Sequence, residues 1–351
     1  MPDGLPFPPS SRYQDGMKGF WVVLCVIGSL QVAEVSAQAP SRARSEFLKT
    51  KYEAIQGSAQ SQYDVAIRYQ KGSGVEKDLA EAVKWFTQAA DQDHPGAQNA
   101  LGIAYSNGWG VDRDYVAAVK WYRKAAEHGV AHAQNALGFS YDKGRGIQED
   151  DQQAVQWYRK AAEQNLAAAQ NNLGYCYKNG RGVEKNAAEA FKWFEKAAEQ
   201  NLAQAQDNLG ECYFHGQGTK VDLAAAVKWY TKAAQQGYSH AQENLGYCYY
   251  YGKGIERSYE DAVKWYTMAA EQNHATAQYK LGGCYANGHG VELDLPEAYA
   301  WYSVAARHLE EAAKARDALE MNLSPKQVKA AQKRARQLRA QLESSVKEGA
   351  H

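Results

Sequence analysis

Seven tryptophans stand 36 residues apart: Trp85, Trp121, Trp157, Trp193, Trp229, Trp265 and Trp301. No feature constrains this chain more, because a fixed period of 20–50 residues marks a stack of near-identical units. The flanking residues share the beat. A Leu-Gly pair at Leu101-Gly102 recurs at Leu137, Leu173, Leu209, Leu245 and Leu281. A tyrosine follows three residues after each glycine, from Tyr105 to Tyr285, with Tyr69 in the first copy. Gly-x-Gly comes next, from Gly72/Gly74 to Gly288/Gly290, and an Ala-Ala pair closes each unit, from Ala89-Ala90 to Ala305-Ala306. The 351-residue length alone suggests about two domains. The repeat replaces that with one unit built seven times over residues 58–306.

Each unit reads as two helices. In the second copy, Gly96–Asn107 carries apolar residues at three- and four-residue spacing. Gly108-Trp109-Gly110 ends that helix, since glycine accepts the left-handed conformation of a helix terminus. Asp114 stands where a side chain caps the next helix, about Tyr115–Glu127, whose buried stripe is Ala118, Trp121, Tyr122 and Ala125. A mid-helix glycine costs about 1 kcal/mol relative to alanine. Its return at Gly102, Gly138, Gly174, Gly210, Gly246 and Gly282 implies a neighbour too close for a Cβ. One such hairpin cannot bury its own apolar face, so stacking supplies the core.

The string Ala-x-x-x-Leu-Gly-x-x-Tyr-x-x-Gly-x-Gly-Val, then Ala-x-x-Trp-Tyr-x-x-Ala-Ala, resembles the Sel-one-like repeat, a 36-residue relative of the tetratricopeptide repeat. The first unit departs most, with Val65-Ala66 for Leu-Gly. The resemblance implies an all-α fold: a right-handed α-solenoid of helix-turn-helix repeats, seven of them plus a C-terminal helical cap. It also implies a protein-binding scaffold whose first helices line a concave groove.

On those first helices the side opposite Leu101, Gly102, Ala104 and Tyr105 is the free one, and in the resembled family it faces the groove. It is rich in asparagine and aromatics. An asparagine side chain offers both a donor and an acceptor, which suits a peptide backbone of any sequence. The expectation is an extended polypeptide held by Asn99, Asn135, Asn171, Asn172 and Asn208, with side chains selected by Phe139, Tyr175, Phe214, Tyr247 and Tyr250. Asp207, Glu211 and Glu243 would favour a basic residue in the partner. The alternative is that the asparagines only bond neighbouring helices and the tyrosines are partial core.

Cys176, Cys212, Cys248 and Cys284 share one position in four successive repeats, where earlier copies have Ala104 and Ser140. Equivalent helices about 10 Å apart exceed the roughly 7 Å Cα limit for a disulfide. Buried free thiols are expected, with alternating disulfides or a metal ladder as the alternatives. The nine histidines form no metal-ligand constellation, and no cofactor is expected. No HExxH, GxSxG or CxxC occurs, and the Gly-x-Gly pairs lack the rest of a nucleotide fingerprint. The chain therefore reads as a non-catalytic scaffold. The alternative, a β-lactamase-like or penicillin-binding hydrolase, would rest on Ser344-Ser345-Val346-Lys347, which stands without companion motifs.

The ends differ from the middle. Pro2, Pro6, Pro8 and Pro9 preclude a helix at the start. Met17-Lys18, an apolar run over 19–32 and Val35-Ser36-Ala37 read as a signal peptide cleaved after Ala37, with Met17 a second candidate start. The run is short for a membrane span of ~20 residues. A periplasmic or secreted bacterial protein is expected, with no stable membrane insertion after cleavage; an N-terminal anchor is the alternative. Residues 38–57 would form a linker or capping helix. Residues 307–351 would form a cap: one helix over Leu309–Leu323 and another from Pro325, with a basic face of Lys326, Lys329, Lys333, Arg334, Arg336 and Arg339. That face is either solvated or in weak contact with an anionic surface. Lys+Arg and Asp+Glu are equal at 40 each, which argues against a nucleic-acid binder. The balance is an average: residues 307–351 hold ten basic and six acidic side chains, net +4, leaving the rest at −4.

Overall fold

The computed structural model describes residues 42–348, with side chains through Ser344. The expected leader and its cleavage site lie outside the described residues. The described chain is an all-α solenoid of helix-turn-helix repeats, with no strand among the described residues. A helix over 42–55, α1, precedes seven hairpins. These are α2 (Ala59–Lys71) with α3 (Leu79–Ala90), α4 (Pro95–Asn107) with α5 (Tyr115–Glu127), and α6 (Ala131–Lys143) with α7 (Asp151–Glu163). Then come α8 (Ala167–Asn179) with α9 (Ala187–Glu199), α10 (Ala203–His215) with α11 (Leu223–Gln235), α12 (Ser239–Tyr251) with α13 (Tyr259–Glu271), and α14 (Ala275–Asn287) with α15 (Leu295–Ala305). Helices α16 (Glu310–Glu320) and α17 (Pro325–Glu348) follow, both packed on α15. The chain divides into two compact units, one ending at Ala125 and one beginning at Ala126.

In the first unit, the hairpin of α4 and α5 shows why the motif recurs. The Gly108 amide donates to Ala104 O at 2.8 Å, the Asp114 amide to Tyr105 O at 2.9 Å, and Asp114 Oδ1 then receives the amides of Val116 and Ala117. A Cβ on Gly102 would stand 2.4 Å from Tyr122 Cδ1, so the expected close neighbour is the aromatic that follows the repeat tryptophan. Gly110 sits against the preceding hairpin: a Cβ there would lie 2.2 Å from Leu79 O.

The second unit repeats this packing, with Tyr158, Phe194, Tyr230, Tyr266 and Tyr302 on the mid-helix glycines. Each hairpin is also tied to the next by glutamine. Gln206 Nε2 donates to Ala198 O and Asn201 Oδ1, while its Oε1 accepts from Gln236 Nε2 at 2.8 Å. Gln134, Gln170 and Gln242 accept from Gln164, Gln200 and Gln272 in the same way. This satisfies buried amides that would otherwise cost about 1–3 kcal/mol each. The 36-residue recurrence of Gln62, Gln98, Gln134, Gln170, Gln206, Gln242 and Gln278 is the sequence signal for this tie.

Two expectations need correction. The repeat tryptophans are not uniformly core: Trp85 and Trp301 are buried, but Trp121, Trp157, Trp193, Trp229 and Trp265 are half-buried. In four copies a lysine three residues on lies over the ring, as Lys160 does 4.1 Å from the Trp157 centroid. The lysine stem and charge shield that face from water, so full burial is unnecessary. The basic face of α17 is also not all outward. Arg334 turns inward to a two-pronged pair with Glu297, at 2.6 and 2.9 Å, and Arg339 has a buried Nε. Lys326, Lys329, Lys333 and Arg336 remain exposed.

Candidate protein-interaction face

The predicted contact residues lie on the first helix of each hairpin: Asn99 on α4, Asn135 and Phe139 on α6, Asn171, Asn172 and Tyr175 on α8, Asp207, Asn208, Glu211 and Phe214 on α10, and Glu243, Tyr247 and Tyr250 on α12. Burial separates them. Phe139 and Tyr175 are exposed, and Glu211, Phe214, Tyr247 and Tyr250 are half-buried. Asn171, Asp207 and Glu243 are buried. The Asn99 Oδ1, in the first unit, is buried with no partner among the described residues.

Asn135, Asn171, Asn172 and Asn208 are spent on one another. Asn172 Nδ2 donates to Asn135 Oδ1 at 3.0 Å, Asn208 to Asn171 at 2.9 Å and Asn244 to Asp207 at 3.0 Å. Lys280 continues the series to Glu243. Each rung joins residues 37 apart, so a side chain meets the position one residue earlier in the preceding repeat. The expectation that these residues hold a partner's backbone is therefore corrected: the buried acceptors form a ladder between repeats.

The expected preference for a basic partner is corrected as well. Lys178 Nζ stands 2.5 Å from Glu211 and Lys280 pairs with Glu243, which neutralises both carboxylates locally. Burial pushes the Asp207 carboxyl up to about 7, against the bond from Asn244 and with the help of Glu211 and Glu243. It is about half protonated near neutrality. Both lysines sit on the same first-helix stripe, Lys178 on α8 and Lys280 on α14.

Between these groups the first-helix face opens into two pockets on either side of Lys280. One, of about 280 Å³, is lined by Glu211, Phe214, Tyr230, Glu243, Tyr247 and Lys280. The other, of about 230 Å³, lies between the sixth and seventh repeats and is walled by tyrosines. Five predicted residues thus line open pockets: Glu211, Phe214, Glu243, Tyr247 and Tyr250. Phe139 stands apart from them, its ring under the Arg145 guanidinium at 5.1 Å.

The four repeat cysteines are free and buried behind this face. Burial raises the thiols of Cys176, Cys248 and Cys284 to about 12 and that of Cys212 to about 11, so almost none is the reactive thiolate at neutral pH. Ser344 lies on the exposed side of α17 with its hydroxyl donated to Gln341 O at 2.8 Å.

A family model described as the Sel1 repeat matches seven consecutive segments, residues 59–94, 95–130, 131–166, 167–202, 203–238, 239–274 and 275–308. Among solved structures, a Sel1 repeat protein from Oxalobacter formigenes is similar at 37% identity over 70% of this chain and 96% of its own, with a TM-score of 0.64. A protective antigen of uropathogenic Escherichia coli strains, displaying an SLR fold, is similar at 29% identity over 84% of this chain and 79% of its own, with a TM-score of 0.52. No curated protein matches the sequence.

Proposed function

The chain belongs to the Sel1 repeat family, and from that premise we propose that it is a non-catalytic adaptor that binds an extended polypeptide segment along its first-helix face. Sel1 repeat proteins are in general scaffolds for protein–protein interaction. The observation that carries the finer reading is the pair of side-chain-sized pockets in adjacent repeats, sharing Lys280. An extended chain presents alternate side chains to one side, and aromatic walls give a large contact area with little entropy to lose. Phe139, Tyr175, Phe214, Tyr247 and Tyr250 supply the contacts, and the inter-repeat ladder holds their helices in register.

We place this activity outside the cytoplasm, on the strength of the apolar run over 19–32 and the Val35-Ser36-Ala37 site. The test is in-cell crosslinking and mass spectrometry of the wild type and of a Glu211→Lys, Tyr247→Ala double variant. A specific crosslinked protein that disappears in a variant of unchanged helicity supports the reading. An identical set of crosslinks in both proteins overturns it.

A further inference from the structure

The two terminal helices present different outer faces. A helix that ends a solenoid must turn a polar face outward, because no further repeat covers it. Helix α17 does so: among its described residues no exposed side chain is large and apolar. Helix α1 does not. Its inner side is seated on the first repeat. Phe47 and Ala54 are buried, and the Phe47 ring meets Tyr69 edge-on at 5.4 Å. Lys51 Nζ donates to Tyr69 Oη and Gln62 Nε2 to Ala54 O, both at 3.1 Å. The outer side carries Leu48, Tyr52 and Ile55, which are 53%, 67% and 63% exposed. Spacings of four and three residues set them on one stripe. No other described helix exposes three large apolar side chains.

The free charges beside this stripe are of one sign. Arg44 stands one turn before Leu48 on the same line, and Lys49 borders it. Both are exposed, and neither pairs with a carboxylate among the described residues. The two acids of the helix are already engaged. Glu46 meets Arg42 at 3.3 Å and Arg68 at 3.6 Å, and Glu53 accepts from Ser61 Oγ at 3.2 Å. Two copies packed stripe to stripe would set Arg44 and Lys49 among like charges. A bilayer of anionic lipids offers the reverse: an apolar layer for Leu48 and Ile55, an interface for the Tyr52 phenol, and phosphates for the two cations.

We infer that α1 docks by this stripe on an anionic phospholipid bilayer. No described helix is long and apolar enough to cross a membrane, so the attachment lies at the surface and is reversible. It leaves the first-helix face of the repeats to a polypeptide, and it does not depend on the groove reading.

The test is hydrogen exchange of the full chain, read peptide by peptide by mass spectrometry. The chain is measured alone, with vesicles of phosphatidylcholine, and with vesicles of equal parts phosphatidylcholine and phosphatidylglycerol. The apolar run over 19–32 can itself enter a vesicle, so the readout is confined to peptides from α1. Exchange over 42–55 should slow with the phosphatidylglycerol vesicles and change little with phosphatidylcholine alone. A Leu48→Ser, Tyr52→Ser, Ile55→Ser variant alters exposed side chains and should lose that protection, with exchange in the repeats unchanged. The Arg44→Glu, Lys49→Glu variant should need about fivefold or more lipid for the same protection, since each cation near such a surface is worth about fivefold in binding. Three outcomes overturn the inference: α1 unprotected by either vesicle, equal protection by both, or protection that survives the triple serine variant. Slowing of α1 that grows with protein concentration in the absence of lipid also overturns it, in favour of a second copy on the stripe.

Discussion

Replacing Asp207 by asparagine should stabilise this protein, and by an amount that depends on pH. Asp207 is 6% exposed and occupies a rung that is asparagine in the two preceding repeats, Asn135 and Asn171. Its acceptor role toward Asn244 is one that an amide oxygen fills equally well, as Asn171 does for Asn208 at 2.9 Å. The groups around it are Asn244, Glu211, Glu243 and Lys178; burial dominates and lifts the carboxyl from 3.8 to about 7. The folded chain thus keeps this proton over a range in which the unfolded chain has lost it. Stability is greatest below the unfolded value, falls as pH rises towards 7 and is level above it. At about 1.4 kcal/mol per pH unit, the loss between pH 5 and pH 8 is about 3 kcal/mol, and the full cost above pH 7 is about 4 kcal/mol. Urea unfolding of wild type and Asp207→Asn at pH 5, 6, 7 and 8 measures it. The difference between the two proteins cancels the titrating groups that do not interact with Asp207, His274 included. The gap should widen steadily up to pH 7 and then hold. A constant gap, or a variant less stable at pH 8, would refute the argument.

Other changes test the packing and the site. Gly246→Ala gains about 1 kcal/mol of helix propensity but drives a Cβ to 2.7 Å from Tyr266 Cδ1; overpacking of about 1–3 kcal/mol should leave it less stable in thermal unfolding. Gln206→Leu removes three hydrogen bonds at a buried position, those to Ala198 O and Asn201 Oδ1 and that from Gln236 Nε2, and should cost about 1–3 kcal/mol by urea unfolding. A maleimide at pH 7 should leave Cys176, Cys212, Cys248 and Cys284 unlabelled in the native protein and label all four once it is unfolded, as peptide mass spectrometry would show. Arg334→Gln leaves Glu297, whose side chain is 15% exposed, without its counter-ion; docking of α17 should weaken, seen as faster amide exchange in that helix.

Much of the molecule was legible in the order of its residues. The 36-residue beat defined seven hairpins, and Gly102 marked a neighbour too close for a Cβ, which the structure identifies as the ring of Tyr122. The small residue at Ala104, Ser140 and Cys176 pointed to a buried site, and the cysteines are buried and free. The site was half legible. Phe139, Tyr175, Glu211, Phe214, Tyr247 and Tyr250 are on accessible positions, whereas Asn171, Asp207 and Glu243 look equally free on a single helical wheel and are buried. A wheel treats each helix alone, and the neighbour that covers these residues is another repeat.

The sequence by itself determined the unit: its length, its two helices, its caps and the glycines that let them pack, because these depend on contacts within 36 residues that every copy repeats. Only the tertiary structure decided how one unit meets the next. The stagger between successive first helices pairs residues 37 apart, not 36. That one-residue offset sets Asn172 on Asn135 and Lys280 on Glu243, and so turns an apparent row of free polar groups into a closed ladder. A periodic sequence gives equivalent positions but carries no direct record of an axial offset between stacked helices. The offset decides which of these polar groups are closed off between repeats.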